Sequence, residues 1–357
     1  MSRRLVDTLR WLCEIPSFTG EEGPLCDAVS ERVSALAVAA PVRRYSHSLV
    51  VPVSRGSGGP HLVLAGHLDV VRTQHDGPVR IEGDKFYGPG AADMKAGLAV
   101  MLDLLDVDLP LCRGVDLTMV FYAREEGPYL ENELHLVMAE DPAMQAVDLA
   151  ICLEPSDNKL SLGATGSIHA EVRFRGRTAH SARPWQGDNA IHKAGVFLQT
   201  LSATKPQHRD IDGLTFSTVT SATLVSGGRG RNVVPDEMRI NVNHRFSPDK
   251  SIAQAQAEVE ALVAGSADIH WRDLSPAALP HAHHPLVTTL RQAGIGEVEA
   301  KQAWTDVARF AVDNIVAVNF GPGVNAQAHQ RNEWTSLRKL MTGRNIMSRF
   351  LALAATG

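Results

Sequence analysis

The sequence predicts an α/β fold: a mixed, mostly parallel sheet flanked by helices, with an α+β module of ferredoxin-like order inserted into it. Three observations carry this prediction. Short continuous apolar runs at 61–65, 117–122, 149–153 and 315–320 read as strands buried on both faces, and a helical pattern at 94–105 separates the first two. From 165 to 275 the texture changes to one-sided strands, with Ile168, Ala170, Val172 and Phe174 alternating against His169, Glu171, Arg173 and Arg175. The last apolar run, 315–320, then returns to the first texture.

In chain order, Leu5, Leu9 and Leu12, then Leu25, Val29, Val33 and Leu36, recur at helical spacing and predict two amphipathic helices. The glycines of 56–60 mark an ordinary turn before the first strand. Inside the insertion, the strand at 168–175 is followed by a helical pattern at Ile191, Ala194, Leu198 and Leu201. Strands at 217–225 and 238–246, a helix at 252–262 and a strand at 268–272 complete a β-α-β-β-α-β order. A catalytic domain is therefore expected at 1–164 and 276–357, with an inserted domain at 165–275.

The chain has 357 residues, enough for roughly two domains. Its 35 basic and 40 acidic residues give a net charge of −5 without any basic run, which argues against nucleic acid or an anionic membrane surface as a partner. No apolar stretch is long enough to span a bilayer, and Asp7, Arg10 and Glu14 interrupt any signal-peptide core, so a cytoplasmic protein is expected. Cys13, Cys26, Cys112 and Cys152 form no C-x-x-C pair and read as small buried hydrophobes. A metal site would have to draw on the 15 histidines and on carboxylates, which suits zinc or another borderline metal.

The residues that follow each buried strand are the informative ones. His67 and Asp69 follow the first, Glu125 and Glu126 the second, Glu154 the third, and Gly321-Pro322-Gly323 and then His329 the last. Ligand crevices of open α/β sheets lie at the carboxyl ends of the strands, so these groups should converge. A glycine-rich turn, 88–97, delivers Asp93 to the start of a helix, where it could bridge two metal ions; alone, it would read as an N-cap. His67 alone would be a polar turn residue, and Glu131 and Glu133 read as solvated. The coincidence of five acid or imidazole clusters at one sheet edge outweighs each bland reading.

The runs AGHLDVV at 65–71, GPGAADMKAG at 88–97, VFYAREE at 120–126, LEPS at 153–156 and GPGVNAQAHQ at 321–330 closely resemble the di-zinc amidohydrolase family that includes desuccinylases, deacetylases, carboxypeptidases and aminoacylases. The resemblance spans essentially the whole chain. It implies two zinc ions, with cobalt as a possible substitute: His67 and Glu154 on one, Glu126 and His329 on the other, and Asp93 between them, preceding a cis peptide to Met94. It also implies that Asp69 orients His67 and that Glu125 is the general base, the two neighbouring glutamates diverging at the strand end.

Glu at position 154 favours removal of an acyl group from an amino acid within that family. His180, in a run that resembles a dimerisation and lid domain, would enter the partner subunit's site of a homodimer and donate to the oxyanion. Asn232, Arg245, Thr305, Asn325 and Gly323 match positions that contact substrate, a small N-acyl amino acid. The runs at 180–195, 304–310 and 318–323 are most similar to desuccinylases of actinobacterial type, which cleave N-succinyl-L,L-diaminopimelate. One departure is that Ala164 and Thr165 stand where proteobacterial desuccinylases have an arginine pair. The tail QAHQ at 327–330 suits an acetylornithine deacetylase, the alternative activity. A noncatalytic zinc-binding scaffold is the non-enzyme alternative, against which Glu125, a carboxylate outside the ligand set, argues. A nucleotide site at 227–230 lacks its G-K-[ST], and no G-x-S-x-G marks a serine hydrolase.

Overall fold

Helices α1 (Arg3–Glu14) and α2 (Gly23–Ser34) open the computed structural model, which describes residues 3–356, and Leu5, Leu9, Leu12, Leu25, Val29 and Val33 are fully buried along the predicted stripes. Strands β1 (Arg43–Tyr45) and β2 (Ser48–Ser54) then form an antiparallel pair. The sequence does not announce β2, because it is buried at every position and so shows no alternation, and it contains Pro52, beside which its pairing slips register. Next come β3 (His61–His67), the small strands β4 (Arg80–Glu82) and β5 (Lys85–Tyr87), helix α3 (Lys95–Cys112), β6 (Asp116–Tyr122), α4 (Leu134–Glu140), β7 (Leu149–Cys152) and β8 (Leu160–Leu162).

A second unit follows: β9 (Gly166–Arg175), α5 (Ala190–Ala203), β10 (Gln207–Ile211), β11 (Leu214–Gly227), β12 (Glu237–Phe246), α6 (Ile252–Val263) and β13 (Asp268–Ser275). The chain closes with α7 (Pro285–Gln292), β14 (Val298–Ala300), α8 (Val307–Val312), β15 (Ala317–Asn319), β16 (Trp334–Ser336) and α9 (Leu337–Ala354). One compact unit holds the residues up to Gly163, Pro280–Ala300 and the residues from Arg309 onward, and the other holds Ala164–Leu279 and Lys301–Ala308.

In the first unit eight strands take the order β1-β2-β6-β3-β7-β15-β8-β14. The central pairs β6/β3, β3/β7 and β7/β15 are parallel, while β1, β2 and the β15/β8 pair add antiparallel contacts. Helix α3 lies against α1 and α9 and is buried on nearly every side from Lys95 to Leu105, as expected of a helix pressed between a sheet and other helices. It runs past the predicted end at 105 to Cys112, with a non-helical Asp108 two residues before Pro110. The fourth buried run is shorter than predicted, three residues of strand inside 315–320. Strands β4, β5 and β16 make a separate three-stranded sheet of order β16-β5-β4.

The second unit is an antiparallel sheet of order β10-β11-β12-β9-β13. Strand β10 is an edge strand added to the predicted six elements. Helices α5 and α6 cover one face, where Val172, Phe174, Ile240 and Val242 pack on Ala194, Phe197 and Val263. Asn189 caps α5 by accepting from the Ile191 and His192 amides, and Ser251 with Gln254 forms a capping box on α6. All four cysteines are buried, and none is in a disulfide. Among the described residues no helix is long and apolar enough to cross a membrane.

Candidate active site

Parallel register brings the carboxyl ends of three strands together: His67 pairs with Tyr122 across β3 and β6, and Ala65 with Cys152 across β3 and β7. The side chains that follow those ends therefore share one edge of the sheet. His67 Nε2 lies 3.2 Å from Asp93 Oδ1 and 3.9 Å from Glu154 Oε1. On the other side, His329 Nε2 lies 2.8 Å from Glu126 Oε1 and 3.5 Å from Asp93 Oδ2. Asp93 thus presents one oxygen to each imidazole, in the position of a bridging carboxylate. His67, Asp93 and Glu154 are buried, and His329 is half exposed.

Backbone features deliver these groups. Gly90, with φ +72°, turns the chain into α3 where an added Cβ would meet Val70 Cγ1 at 2.4 Å. The Asp93–Met94 peptide is cis. Arg124 and His329 occupy the left-handed region, with φ of 63° and 61°, an uncommon conformation for these residue types and one that concentrates at functional sites. At Gly323 a Cβ would fall 2.1 Å from the Ala92 carbonyl oxygen, so the 321–323 turn can pass the Asp93 segment only as glycine.

Two features differ from the sequence expectation. The far nitrogen of His67, Nδ1, meets the main-chain carbonyl of Asp69 at 2.9 Å, while the Asp69 carboxylate stands 3.6 Å away. That carboxylate instead accepts from the amides of Glu125 (3.0 Å) and Glu126 (3.1 Å) and from Thr19 Oγ1 (3.1 Å). Three donors compete for it, and a carbonyl suffices to fix the imidazole tautomer. Also, Glu125 and Glu126 lie on a turn beyond β6, entered through Arg124 in the left-handed region, and not at the strand end where alternation applies.

The electrostatics are those of a concentrated anionic site. Burial opposes charge on Asp93, but the bonds from His329 and His67 outweigh it and hold its carboxyl well below the usual range. Burial raises Glu126, against the pull of His329. The same carboxylates lift His329 to about 10 through Asp93 and then Glu126, and burial is overcome at His67, which is raised well above its ordinary value. Imidazoles drawn so strongly to positive charge mark a place where a cation can replace protons. The ligand atoms of His67, Asp93 and Glu126 all lie within 4.8 Å of one another, so the donor set fits a metal ion.

Two supporting residues went unmarked in the sequence. Lys95 is buried, donates from Nζ to the Leu12 and Ile15 carbonyls at 3.0 Å each, and is pulled down to about 8 by burial. Its only sequence signal is a lysine inside an apolar helical run. Glu333 is the other, and nothing in the spacing around it distinguishes it from a surface acid.

The remaining predicted residues are placed as follows. Asn325 is exposed, its amide donating to Asp157 Oδ2 at 3.2 Å. His180, Asn232, Arg245 and Thr305 belong to the second unit. There His180 is exposed and bridges to Val233, next to the exposed Asn232, whose carbonyl accepts from the Ser181 amide. Arg245, on the sheet face that α5 and α6 leave uncovered, donates from Nε to Asn243 Oδ1 at 3.1 Å, and burial lowers its pKa. Thr305 is buried, with no hydrogen-bond partner for its hydroxyl among the described residues.

A Mycobacterium tuberculosis protein provisionally named succinyl-diaminopimelate desuccinylase DapE is 37% identical over 341 residues, 95% of this chain and 96% of that one. A Corynebacterium glutamicum succinyl-diaminopimelate desuccinylase is 33% identical over 361 residues, 99% and 95% of the two chains. The fold is shared with the aminopeptidase PepT of Bacillus cereus (TM-score 0.80, 19% identity, 99% and 98% coverage). It is shared too with the YXEP protein of Bacillus subtilis, described as a dinuclear metal-binding peptidase (TM-score 0.73, 15% identity, 99% and 98% coverage). The model of peptidase family M20/M25/M40 matches residues 63–353, and the chain belongs to that family.

Proposed function

We propose that the protein hydrolyses the amide of N-succinyl-L,L-diaminopimelate, giving succinate and L,L-diaminopimelate. The observation that carries the chemistry is Asp93, with one carboxylate oxygen toward His67 and the other toward His329. The substrate rests on the full-length relatives bearing the desuccinylase name. In this reading His67 and Glu154 hold one zinc ion, Glu126 and His329 a second, and Asp93 both, with cobalt able to substitute. When bound, such a pair of ions polarises a carbonyl and makes water a stronger nucleophile at neutral pH.

The chain's own residues do the rest. Asp69 grips the Glu125 amide and so aims Glu125, which takes a proton from the attacking water and passes it to the departing amine. Asn232, Arg245, Thr305, Asn325 and Gly323 contact the substrate, Arg245 being suited to a carboxylate because its guanidinium makes no salt bridge among the described residues, Asp273 acting on it only at longer range. The second unit forms a homodimer, so that His180 of the partner subunit donates to the oxygen that gains charge. Exposed Leu224 and Val225 on β11 and the edge strand β10 support a surface that a second copy covers.

The test is turnover of zinc-loaded protein on N-succinyl-L,L-diaminopimelate and on N-acetylornithine. The succinyl substrate is expected to be cleaved with at least about 10² higher kcat/KM, the scale of a lost charged contact in a buried site. Preference for the acetyl substrate sinks the desuccinylase assignment.

A further inference from the structure

Glu333 is 3% exposed and makes no salt bridge among the described residues, a costly place for a carboxylate unless donors surround it. It spends both oxygens on one short turn. Oε1 accepts from the amides of Ala92 (2.7 Å) and Asp93 (2.8 Å), and Oε2 accepts from the amide of Gly90 (3.0 Å). Its main-chain carbonyl accepts a fourth bond, from the Gly88 amide at 3.2 Å. Every one of these donors belongs to the segment that ends in Asp93.

The position of Glu333 along the chain gives those bonds a second consequence. It stands four residues after His329 and directly before β16, which pairs with β5, the strand that leads into the glycine-rich turn. The segment that carries His329 and the turn that carries Asp93 are therefore joined by the β16/β5 pairing and the Glu333 main-chain carbonyl up to Gly88, and by the Glu333 side chain from Gly90 to Asp93 itself. Asp93 must face His67 at 3.2 Å and His329 at 3.5 Å at once, so a small slip of the turn against the 329–333 segment breaks one of the two alignments.

Resting on the two-metal reading above, we propose that Glu333 is a positioning residue for the metal pair: its carboxylate, seated in the amides of 90–93, sets the separation of Asp93 from His329. A residue that only stabilised the turn would affect melting; one that sets this separation affects how tightly the second ion binds and how fast the enzyme turns over, with little effect on KM.

Glu333→Gln keeps the volume but faces an amide N–H₂ against at least one of the three N–H donors. Metal-free and zinc-loaded samples of wild type, Glu333→Gln and Glu333→Asp are titrated calorimetrically with zinc sulfate and melted, and kcat and KM are measured at saturating zinc. The expected result is a folded Glu333→Gln whose second zinc binds at least about tenfold more weakly, with kcat reduced and KM within about twofold of wild type. Should Glu333→Gln not fold, Glu333→Asp, which keeps charge and both oxygens on a shorter arm, is held to the same criterion. Wild-type zinc affinity and kcat in a folded variant, with only the melting temperature lowered, overturn the inference and leave the two-metal reading intact. Wild type that fails to bind two ions overturns both.

Discussion

Glu125 owes its place to a carboxylate that the spacing of His67 and Asp69 assigns to a different task. Asp69 holds the Glu125 and Glu126 amides at 3.0 and 3.1 Å, so the proposed base and the proposed ligand are aimed by one group. Glu125→Gln should keep both metal ions and lose about 10²–10⁴-fold in kcat. Asp69→Asn should also lower kcat, because the two N–H groups bond different oxygens and the amide N–H₂ would face one of them; unchanged kcat in either variant, with metal content confirmed, removes that residue from the mechanism. At this scale the residue types were legible and the atoms were not. Spacing brings His67 and Asp69 together, but it does not say whether carbonyl or carboxylate meets the imidazole. That choice is made by Thr19 and the turn at Arg124, 50 or more residues away.

Elements are joined by buried charge. Asp103 on α3, 1% exposed, accepts from Arg4 Nε of α1 at 3.0 Å and from Arg344 Nε of α9 at 2.7 Å, tying three helices on one side of the sheet. Asp103→Ala removes one of the two carboxylates on Arg344, which keeps Asp108 at 3.0 Å, and should cost about 1–3 kcal/mol in denaturant unfolding. A loss below about 1 kcal/mol would mean that the apolar packing of α3 carries the junction alone.

Asp141 offers a pH test. Burial opposes its charge, yet Arg43, bonded to both oxygens at 2.7 Å, outweighs that and holds the carboxyl below the ordinary aspartate range. A depressed folded pKa gives stabilisation that is complete above the unfolded value of about 3.9 and is lost as pH falls through the folded one. The stability gap between wild type and Asp141→Asn should therefore be constant near neutrality and close below about pH 4; a gap that instead widens there reverses the sign of the effect. Long periodic elements such as α1, β9 and β12 could be read from sequence because their own residues repeat. The three-residue strands could not: β5, β14 and β16 take pairing partners far away in the chain, and β4, which pairs only across a two-residue turn to β5, is too short to show a period.

At the scale of the whole molecule, the proposed dimer makes each active site depend on two chains. Inactive His180→Ala subunits mixed with inactive Glu125→Ala subunits should regain activity, since one site of the mixed dimer has Glu125 in its own chain and an intact His180 of the partner subunit. No recovery despite proven subunit exchange assigns His180 to its own chain or to no role. Whether strand ends distant in sequence build one two-metal site is tested by metal-edge anomalous diffraction from zinc-loaded crystals. Two peaks about 3.5–4 Å apart are expected, with Asp93 between them, His67 and Glu154 on one, and Glu126 and His329 on the other. A single peak, or zinc held by other residues, contradicts this arrangement.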